Sequence, residues 1–290
     1  MSTSDEIHNG RDTLRYVRLA LLVLPLLLVV AIVIYGILNG KVEDSISSYY
    51  LGPSRDLFVA MLVATGVMLV VYKGAALEDY ALNLAGFYAI FVALVPTRLG
   101  QTLSMLDTHA QIQLIRSVQI SVVAVLVVSA VFVWLEWKTT KWSPRSLHIS
   151  KLSKMLTIAS TVLLIAFIGL LLWRSIEGTD FAGVHYAAAL LLIISMGVAI
   201  ASHLGREDLC DTDTSGGRST HYAVLLVLMA LGIVGWLVLT VMGISQALFI
   251  VEWYEIGLFT YFWYLESRRL WNYPALAPRT PREFPQQPSQ

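Results

Sequence analysis

Eight long apolar segments follow one another along this 290-residue chain, and they limit its fold more than any other feature. Each segment approaches the ~20 residues that an α-helix needs to cross the hydrocarbon layer of a membrane. The sequence therefore predicts an all-α integral membrane bundle of eight transmembrane helices. The predicted segments are 17–39, 57–73, 81–97, 115–136, 155–174, 184–203, 221–243 and 246–266.

The composition agrees with a membrane protein and argues against several other classes. Hydrophobic residues make up 57% of the chain and charged residues 14%, whereas a soluble domain carries roughly a quarter charged residues. The net charge of zero argues against nucleic acid as a partner, because binding to phosphates needs a basic surface. The single cysteine, Cys210, excludes an intrachain disulfide. The apolar run 17–38 is longer than the roughly 7–15 residues of a signal-peptide core, so we expect a retained first helix.

The lysines and arginines predict how the bundle is oriented. With eight crossings, both termini lie on the same side of the membrane. Of the 20 lysines and arginines, fifteen fall on that side and five on the opposite side. Because cationic segments are retained in the cytoplasm, both termini are predicted to be cytoplasmic. A tight turn predicted at residues 243–246 separates the last two helices.

Three regions follow from this topology. Residues 1–16 form a cytoplasmic N-terminal tail, and residues 17–271 form the eight-helix transmembrane domain. Residues 272–290 contain five prolines among polar residues, a composition that does not form a packed core, and they are predicted to be a disordered cytoplasmic tail. The acidic stretch 205–220 lacks the full EF-hand ligand pattern and is predicted to be a solvated connector.

Polar residues collect at the predicted outer end of the helices. Glu252 and Glu255 are three residues apart and therefore share one face of the last helix. Acids inside a membrane point into the bundle or a wet cavity and find a partner there, and Arg55 or His185 is the predicted partner of Glu252. This pattern indicates an outward-opening polar pocket or, alternatively, a structural network that joins helix 8 to helices 2 and 6. The candidate catalytic residues are Asp56, His185 and Glu252, and the candidate binding residues are Tyr49, Tyr50, Arg55, Asp180 and Glu255.

The remaining histidines do not indicate a metal centre. His109, His148, His203 and His221 lie in loops or at predicted helix ends, where we expect them to be solvated. No three histidines are predicted to share one face, which disfavours a three-histidine zinc site. The sequence also lacks the nucleophile-elbow, zinc-protease and phosphate-loop motifs.

The stretch from Ser45 to Thr97 carries a dense set of motifs. They are Ser45-Ile46-Ser47, Tyr49-Tyr50, Arg55-Asp56, Phe58-Val59, Tyr72-Lys73-Gly74, Asn83, Ala85-Gly86, Val92-Ala93-Leu94 and Pro96-Thr97. With these motifs the chain resembles a family of prokaryotic multi-pass membrane proteins that is classed as a domain of unknown function. Looser matches at His185, Glu252 and Phe262-Trp263 extend the resemblance over helices 2 to 8. The resemblance implies the plasma (inner) membrane of a prokaryote as the location.

That family is similar, more distantly, to the superfamily of alkaline ceramidases and progestin-adiponectin receptors. The similarity implies a hydrolase that acts on lipid amides with a divalent metal. The chain departs from this pattern at two points: it lacks the late pair of histidines in HxxxH spacing, and it has Leu51 where family members carry a histidine. The resemblance to this superfamily therefore indicates common ancestry only and does not predict a zinc hydrolase.

Three functions are compatible with the sequence. The first is a lipid-directed hydrolase, in which Asp56, His185 and Glu252 hold a metal or activate water. The second is a small-solute or proton-coupled transporter, in which Glu252 and Glu255 titrate beside a cavity. The third is a non-catalytic membrane scaffold or sensor that binds a partner through the proline-rich tail. All three have the lipid bilayer as a partner, and the first two also bind a lipid or small-molecule ligand.

Overall fold

The computed structural model describes residues 3–40, 45–46, 55–97, 99–139, 151–204 and 215–271. Within these ranges the chain forms nine α-helices, and no strand occurs in them. The helices are α1 (Thr3–Asn39), α2 (Arg55–Val71), α3 (Ala76–Leu94), α4 (Leu99–Ser104), α5 (Thr108–Thr139), α6 (Lys151–Glu177), α7 (Val184–Ala201), α8 (Ser215–Val241) and α9 (Ala247–Trp271).

The predicted all-α class is confirmed, and each predicted apolar segment coincides with one long helix. Six helices are long and apolar enough to cross a membrane, namely α1, α3, α5, α6, α7 and α8. Of the other two, α2 has only 17 residues and α9 interrupts its apolar run with Glu252 and Glu255. The number of crossings and their orientation stay predictions. The predicted disordered tail 272–290 lies outside the described residues.

Two features of the helices differ from the prediction. Helix α1 already begins at Thr3, so most of the predicted N-terminal tail continues this helix. The short helix α4 (Leu99–Ser104) was not predicted, because it is too brief to produce a periodic apolar pattern.

Helices α3 and α7 form the centre of the bundle. They pack against each other more extensively than any other pair among the described residues. Helices α1, α2, α8 and α9 lie on one side of this pair, and α5 and α6 on the other. Of the apolar stretch of α3, 67% is buried inside the protein, against 11% of that of α5. The outer faces of α1, α5, α6 and α8 carry many exposed Val, Leu and Ile side chains, as a surface that contacts lipid requires.

Contacts between residues distant in sequence define two ends of the bundle. At one end, Arg18 of α1 contacts Tyr72 after α2 and Glu266 of α9. At the other end, Ser45 after α1 contacts Glu252 of α9. We name these the Arg18 end and the Glu252 end. The predicted orientation places the Arg18 end in the cytoplasm.

The predicted turn between the last two helices is confirmed. Helix α8 ends at Val241 and α9 begins at Ala247. Gly243 adopts a left-handed conformation with φ of 72°, and the Ile244 N–H donates to the Leu239 carbonyl. This is the Schellman arrangement, in which a glycine without a Cβ ends the helix at little steric cost.

Lys73 joins α3 and α5 at the Arg18 end. Its Nζ atom lies 3.2 Å from Asp79 and 3.0 Å from Glu136. Partial burial lowers the pKa of Lys73, but the hydrogen bonds to Glu136 and Asp79 raise it by more, so the pKa lies above its ordinary value. The lysine is therefore charged at neutral pH, as the predicted orientation assumes.

Candidate functional site

At the Glu252 end, the Glu252 carboxylate is bonded to the link that follows α1. The Ser45 hydroxyl lies 2.9 and 2.8 Å from the two carboxylate oxygens, and the Ile46 backbone N–H donates to Oε2 at 2.6 Å. Ser45 is buried. These charge-assisted bonds fix the first link of the chain to the last helix.

His185 lies at the start of α7 and is bonded to the end of α3. Its side chain is buried, and Nδ1 lies 2.7 Å from the Val95 carbonyl oxygen. Since a carbonyl only accepts hydrogen bonds, Nδ1 is the protonated nitrogen. The bond joins the two central helices where they meet.

Three further predicted residues, Arg55, Asp56 and Asp180, lie at the same end. Arg55 and Asp56 are exposed in the first turn of α2 and border a cleft toward α5. Asp180, in the link between α6 and α7, accepts a hydrogen bond from the Ala182 N–H at 3.1 Å. Tyr49 and Tyr50 lie outside the described residues.

The predicted catalytic residues Asp56, His185 and Glu252 therefore do not form a metal site. Glu252 bonds to Ser45 and Ile46, His185 to the Val95 carbonyl, and Asp56 lines the cleft beside α5. In the part of the chain that the structure describes, no three His, Cys, Asp or Glu side chains lie close enough to hold a metal ion. The bonds of Glu252 and His185 hold elements together, but not the predicted ones: they join α9 to the link after α1 and α7 to the end of α3.

Glu255 occupies a different environment, one turn deeper in α9. Its side chain is only 9% exposed, and neither carboxylate oxygen has a hydrogen-bond partner among the described residues. The Glu255 side chain lines a cavity of about 130 Å³ between six helices. Its lining is apolar apart from Glu255 and Thr65, and the Thr65 hydroxyl donates to the Met61 carbonyl.

Such surroundings determine which forms of Glu255 are stable. An ionised carboxylate without a partner is costly in an apolar interior, and acids inside membranes mark pathways for protons or ions. The group is therefore stable when it holds a proton or faces a bound cation. The cavity has room for either, since even one water needs only ~10–15 Å³ of such space.

A buried network of polar side chains lies at the Arg18 end, where the sequence had indicated none. Arg18 donates from Nη2 to the Tyr72 hydroxyl at 2.6 Å and from Nη1 to the Glu266 backbone carbonyl at 2.9 Å. Its Nη1 also lies 3.6 Å from the Glu266 carboxylate, to which the Tyr222 hydroxyl donates a short hydrogen bond. Glu266 is fully buried.

His203 and Glu78 extend this network. Nε2 of His203 lies 3.3 Å from Oε1 of Glu78, and the His203 ring stacks on Tyr222 at 4.7 Å. Both His203 and Glu78 are buried, so the prediction that His203 is solvated was wrong. The end of α7 packs against α3 and α8, and Glu78 provides the partner that a buried imidazole needs. We call these six residues, Arg18, Tyr72, Glu78, His203, Tyr222 and Glu266, the Arg18 network.

One signal in the sequence could have identified part of this network. Glu266 follows Glu255 by about three helical turns, so Glu252, Glu255 and Glu266 lie along one face of α9. A face with three acids in an otherwise apolar helix predicts that this face points into the bundle. The positions of their partners on other helices carry no such signal.

Comparison of the chain with protein-family models, with curated proteins and with solved structures finds no match.

Proposed function

We propose that this protein is a proton-coupled transporter of a small solute, in which Glu255 binds the coupled proton. The observation that carries the proposal is Glu255, whose buried carboxylate has no hydrogen-bond partner in the described part of the chain and whose side chain lines a cavity between the helices. Met61, Leu62 and Thr65, in the middle turns of α2, also line this cavity. The cavity therefore lies at mid-depth, where transporters place their substrate and coupling-ion sites.

The polar contacts at both ends fit this function. Above the cavity, Glu252 is bonded to Ser45 and Ile46. Below it, the Arg18 network fills the space between α1, α3, α7, α8 and α9. Alternating access needs a closure on each side of a central site. We assign these two sets of contacts to the two closures.

We further propose that the chain crosses the plasma (inner) membrane of a prokaryote eight times, with both termini in the cytoplasm. The two helices that are less apolar or shorter are compatible with this topology. The acids Glu255 and Glu266 of α9 are buried, so α9 need not expose them to lipid. Helix α2 has 17 residues, about 26 Å at 1.5 Å per residue, and a bilayer thins locally to match a short helix.

The lipid-directed hydrolase and the scaffold or sensor receive less support. A hydrolase of the predicted kind needs Asp56, His185 and Glu252 around one metal or water, and the described residues contain no group of side chains that could hold a metal ion. The scaffold hypothesis depends on residues 272–290, outside the described ranges. The proposed family relationship is compatible with each of the three functions.

Replacing Glu255 with glutamine is expected to abolish proton transport. Glutamine has a similar size but does not exchange a proton at neutral pH, so the cavity keeps its shape and loses its titrating group. The purified protein is reconstituted into liposomes that contain a pH-sensitive dye, and a membrane potential, negative inside, is applied. Methylamine, ethylamine and glycerol, each small enough for the cavity, are added outside as probes.

The matched control is Glu177→Gln, which removes an acid that is exposed at the end of α6. This variant should transport protons as the wild type does, and all three proteins should have the same melting temperature. The proposal is wrong if wild-type liposomes acidify no faster than empty ones with every probe. Equal rates for wild type and Glu255→Gln would also contradict it.

The single native cysteine gives a direct test of the proposed orientation. Cys210, between α7 and α8, is predicted to be cytoplasmic, whereas Met105, which is 85% exposed between α4 and α5, is predicted to lie outside. In intact cells, a membrane-impermeant maleimide should label Met105→Cys in a Cys210→Ser background and should leave Cys210 unlabelled. After the cells are opened, both should react. Labelling of Cys210 in intact cells would mean that the protein has the opposite orientation to the proposed one.

A further inference from the structure

A second and larger cleft lies between α2 and α5 at the Glu252 end. Its volume is about 640 Å³, within the range of ligand pockets. Arg55 and Asp56 lie at its polar end. Its walls are the small apolar side chains of α2 in the range 59–64, together with apolar side chains of α5. Ser117 and Ser121 of α5 also line it.

The cleft is open to the surroundings of the protein rather than to its interior. Asp56, Ala60 and Ser117 are all exposed. Because α2 begins at Arg55, the charged residues lie at the membrane boundary and residues 59–64 lie one to two turns deeper. An occupant therefore needs a polar head beside Arg55 and an apolar tail along α2, which is the form of a membrane lipid.

The two charges restrict which lipid headgroup fits. The guanidinium of Arg55 matches a phosphate group in geometry and charge, and its five donors allow it to hold a phosphate beside another partner. Asp56, the next residue, repels a headgroup that is only anionic and attracts a primary ammonium group. A phosphate and an ammonium joined by a short linker satisfy both side chains.

We propose that this cleft binds a phospholipid with a phosphoethanolamine headgroup. Arg55 binds the phosphate, Asp56 binds the ammonium group, and an acyl chain lies along the apolar wall formed by α2 and α5. Ser117 is placed to donate a hydrogen bond to the glycerol ester region. This site is separate from the Glu255 cavity, so the inference does not rest on the proposed transport function.

The test measures which lipid the protein retains. The full chain is reconstituted in nanodiscs made from equal amounts of phosphatidylethanolamine and phosphatidylglycerol, extracted gently and analysed by native mass spectrometry. The wild type should retain one phosphatidylethanolamine at least about tenfold more often than phosphatidylglycerol, a preference of ~1.4 kcal/mol.

The two charge variants should change this result in different ways. Asp56→Asn should abolish the preference between the two lipids, because the group that selects the ammonium is lost, while one lipid is still retained. Arg55→Gln should reduce retention of both lipids, because the phosphate loses its partner. Ala64→Phe should also reduce both, because it fills the apolar part of the cleft without changing a charge.

The matched control is the double variant Arg174→Gln with Glu177→Gln, which removes an ion pair of opposite charges at the same end of the bundle but outside the cleft. It should retain phosphatidylethanolamine as the wild type does. The melting temperature of each variant is measured as well, and only variants that melt at the same temperature as the wild type are compared. If the wild type retained both lipids in equal amounts, the retained molecules would be lipid that surrounds the protein without a specific site. This result would overturn the proposal. A preference that survives Asp56→Asn, or lipid retention that survives Arg55→Gln unchanged, would overturn it too.

Discussion

Replacing Glu266 with alanine is expected to lower the free energy of unfolding by about 3–5 kcal/mol, the usual loss when one partner of a buried ion pair is removed. Glu266 is fully buried, its carboxylate lies 3.6 Å from Arg18, and it accepts the hydrogen bond of Tyr222. Without this carboxylate, a buried guanidinium loses its counter-charge and a buried hydroxyl loses its acceptor. Unfolding of the purified protein in an SDS titration, followed by tryptophan fluorescence, measures the loss.

A double variant separates the loss of charge pairing from a general packing defect. Arg18→Met combined with Glu266→Leu replaces the pair with apolar side chains of similar volume, and this exchange is often neutral in protein interiors. The double variant should recover the part of the loss that comes from the unpaired guanidinium, whereas the Tyr222 hydroxyl still lacks its acceptor. As a control, Glu177→Ala removes a partner of the exposed pair with Arg174 and should cost at most ~1 kcal/mol. A loss below this value for Glu266→Ala would contradict the argument.

The helices of this protein could be predicted because the membrane imposes a length and a polarity on each of them. The turn at Gly243 is an example, since a glycine between two apolar runs indicates the end of a helix and α8 ends at Val241. The start of α1 was missed because the prediction relied on apolar residues alone. Residues 3–16 are polar, and a search for apolar segments stops where the apolar residues begin, whereas the helix continues.

The partners of the polar residues could not be predicted in the same way. The bond between Ser45 and Glu252 joins residues 207 positions apart, and Arg18 and Glu266 are 248 apart. The sequence indicates how deep each side chain lies in the membrane. It does not indicate which neighbour a side chain faces, because the rotation of each helix about its axis depends on packing against all of its neighbours. His203 illustrates the consequence: its place at a helix end suggested solvent, and packing buried it against Glu78.

The transporter hypothesis placed Glu252 and Glu255 together beside a cavity, whereas the contrast between the two acids depends on the structure. Both acids share one face of α9, yet Glu252 accepts three close contacts from Ser45 and Ile46. Glu255 faces apolar side chains of the neighbouring helices. The described part of the link after α1, Ser45 and Ile46, contacts Glu252, whereas Glu255 has no hydrogen-bond partner among the described residues. The proposed proton site, Glu255, therefore lies about one helical turn from the polar contact of Glu252.

Replacing Gly86 with alanine is expected to destabilise the bundle by about 3 kcal/mol, at the upper end of the usual cost of overpacking. A Cβ atom on Gly86 of α3 would overlap the carbonyl oxygen of Gly66 on α2, and one on Gly66 would lie 2.8 Å from the carbonyl oxygen of Gly86. The obstacle is backbone, which does not move away as a side chain would. Small residues let helix backbones approach closely in membranes, and this contact therefore sets the distance between α2 and the central helix α3.

The controls are helical glycines that face open space. Gly169 of α6 and Gly257 of α9 have no atom within 4 Å of an added Cβ, so alanine there should be neutral or stabilising by up to ~1 kcal/mol, through its higher helix propensity. The same SDS titration compares Gly86→Ala, Gly169→Ala and Gly257→Ala. Because all three changes add one methyl group to a helix, a selective loss at Gly86 isolates the contact with Gly66. If Gly86→Ala were as stable as the two controls, α2 and α3 would not cross as closely as the structure has them.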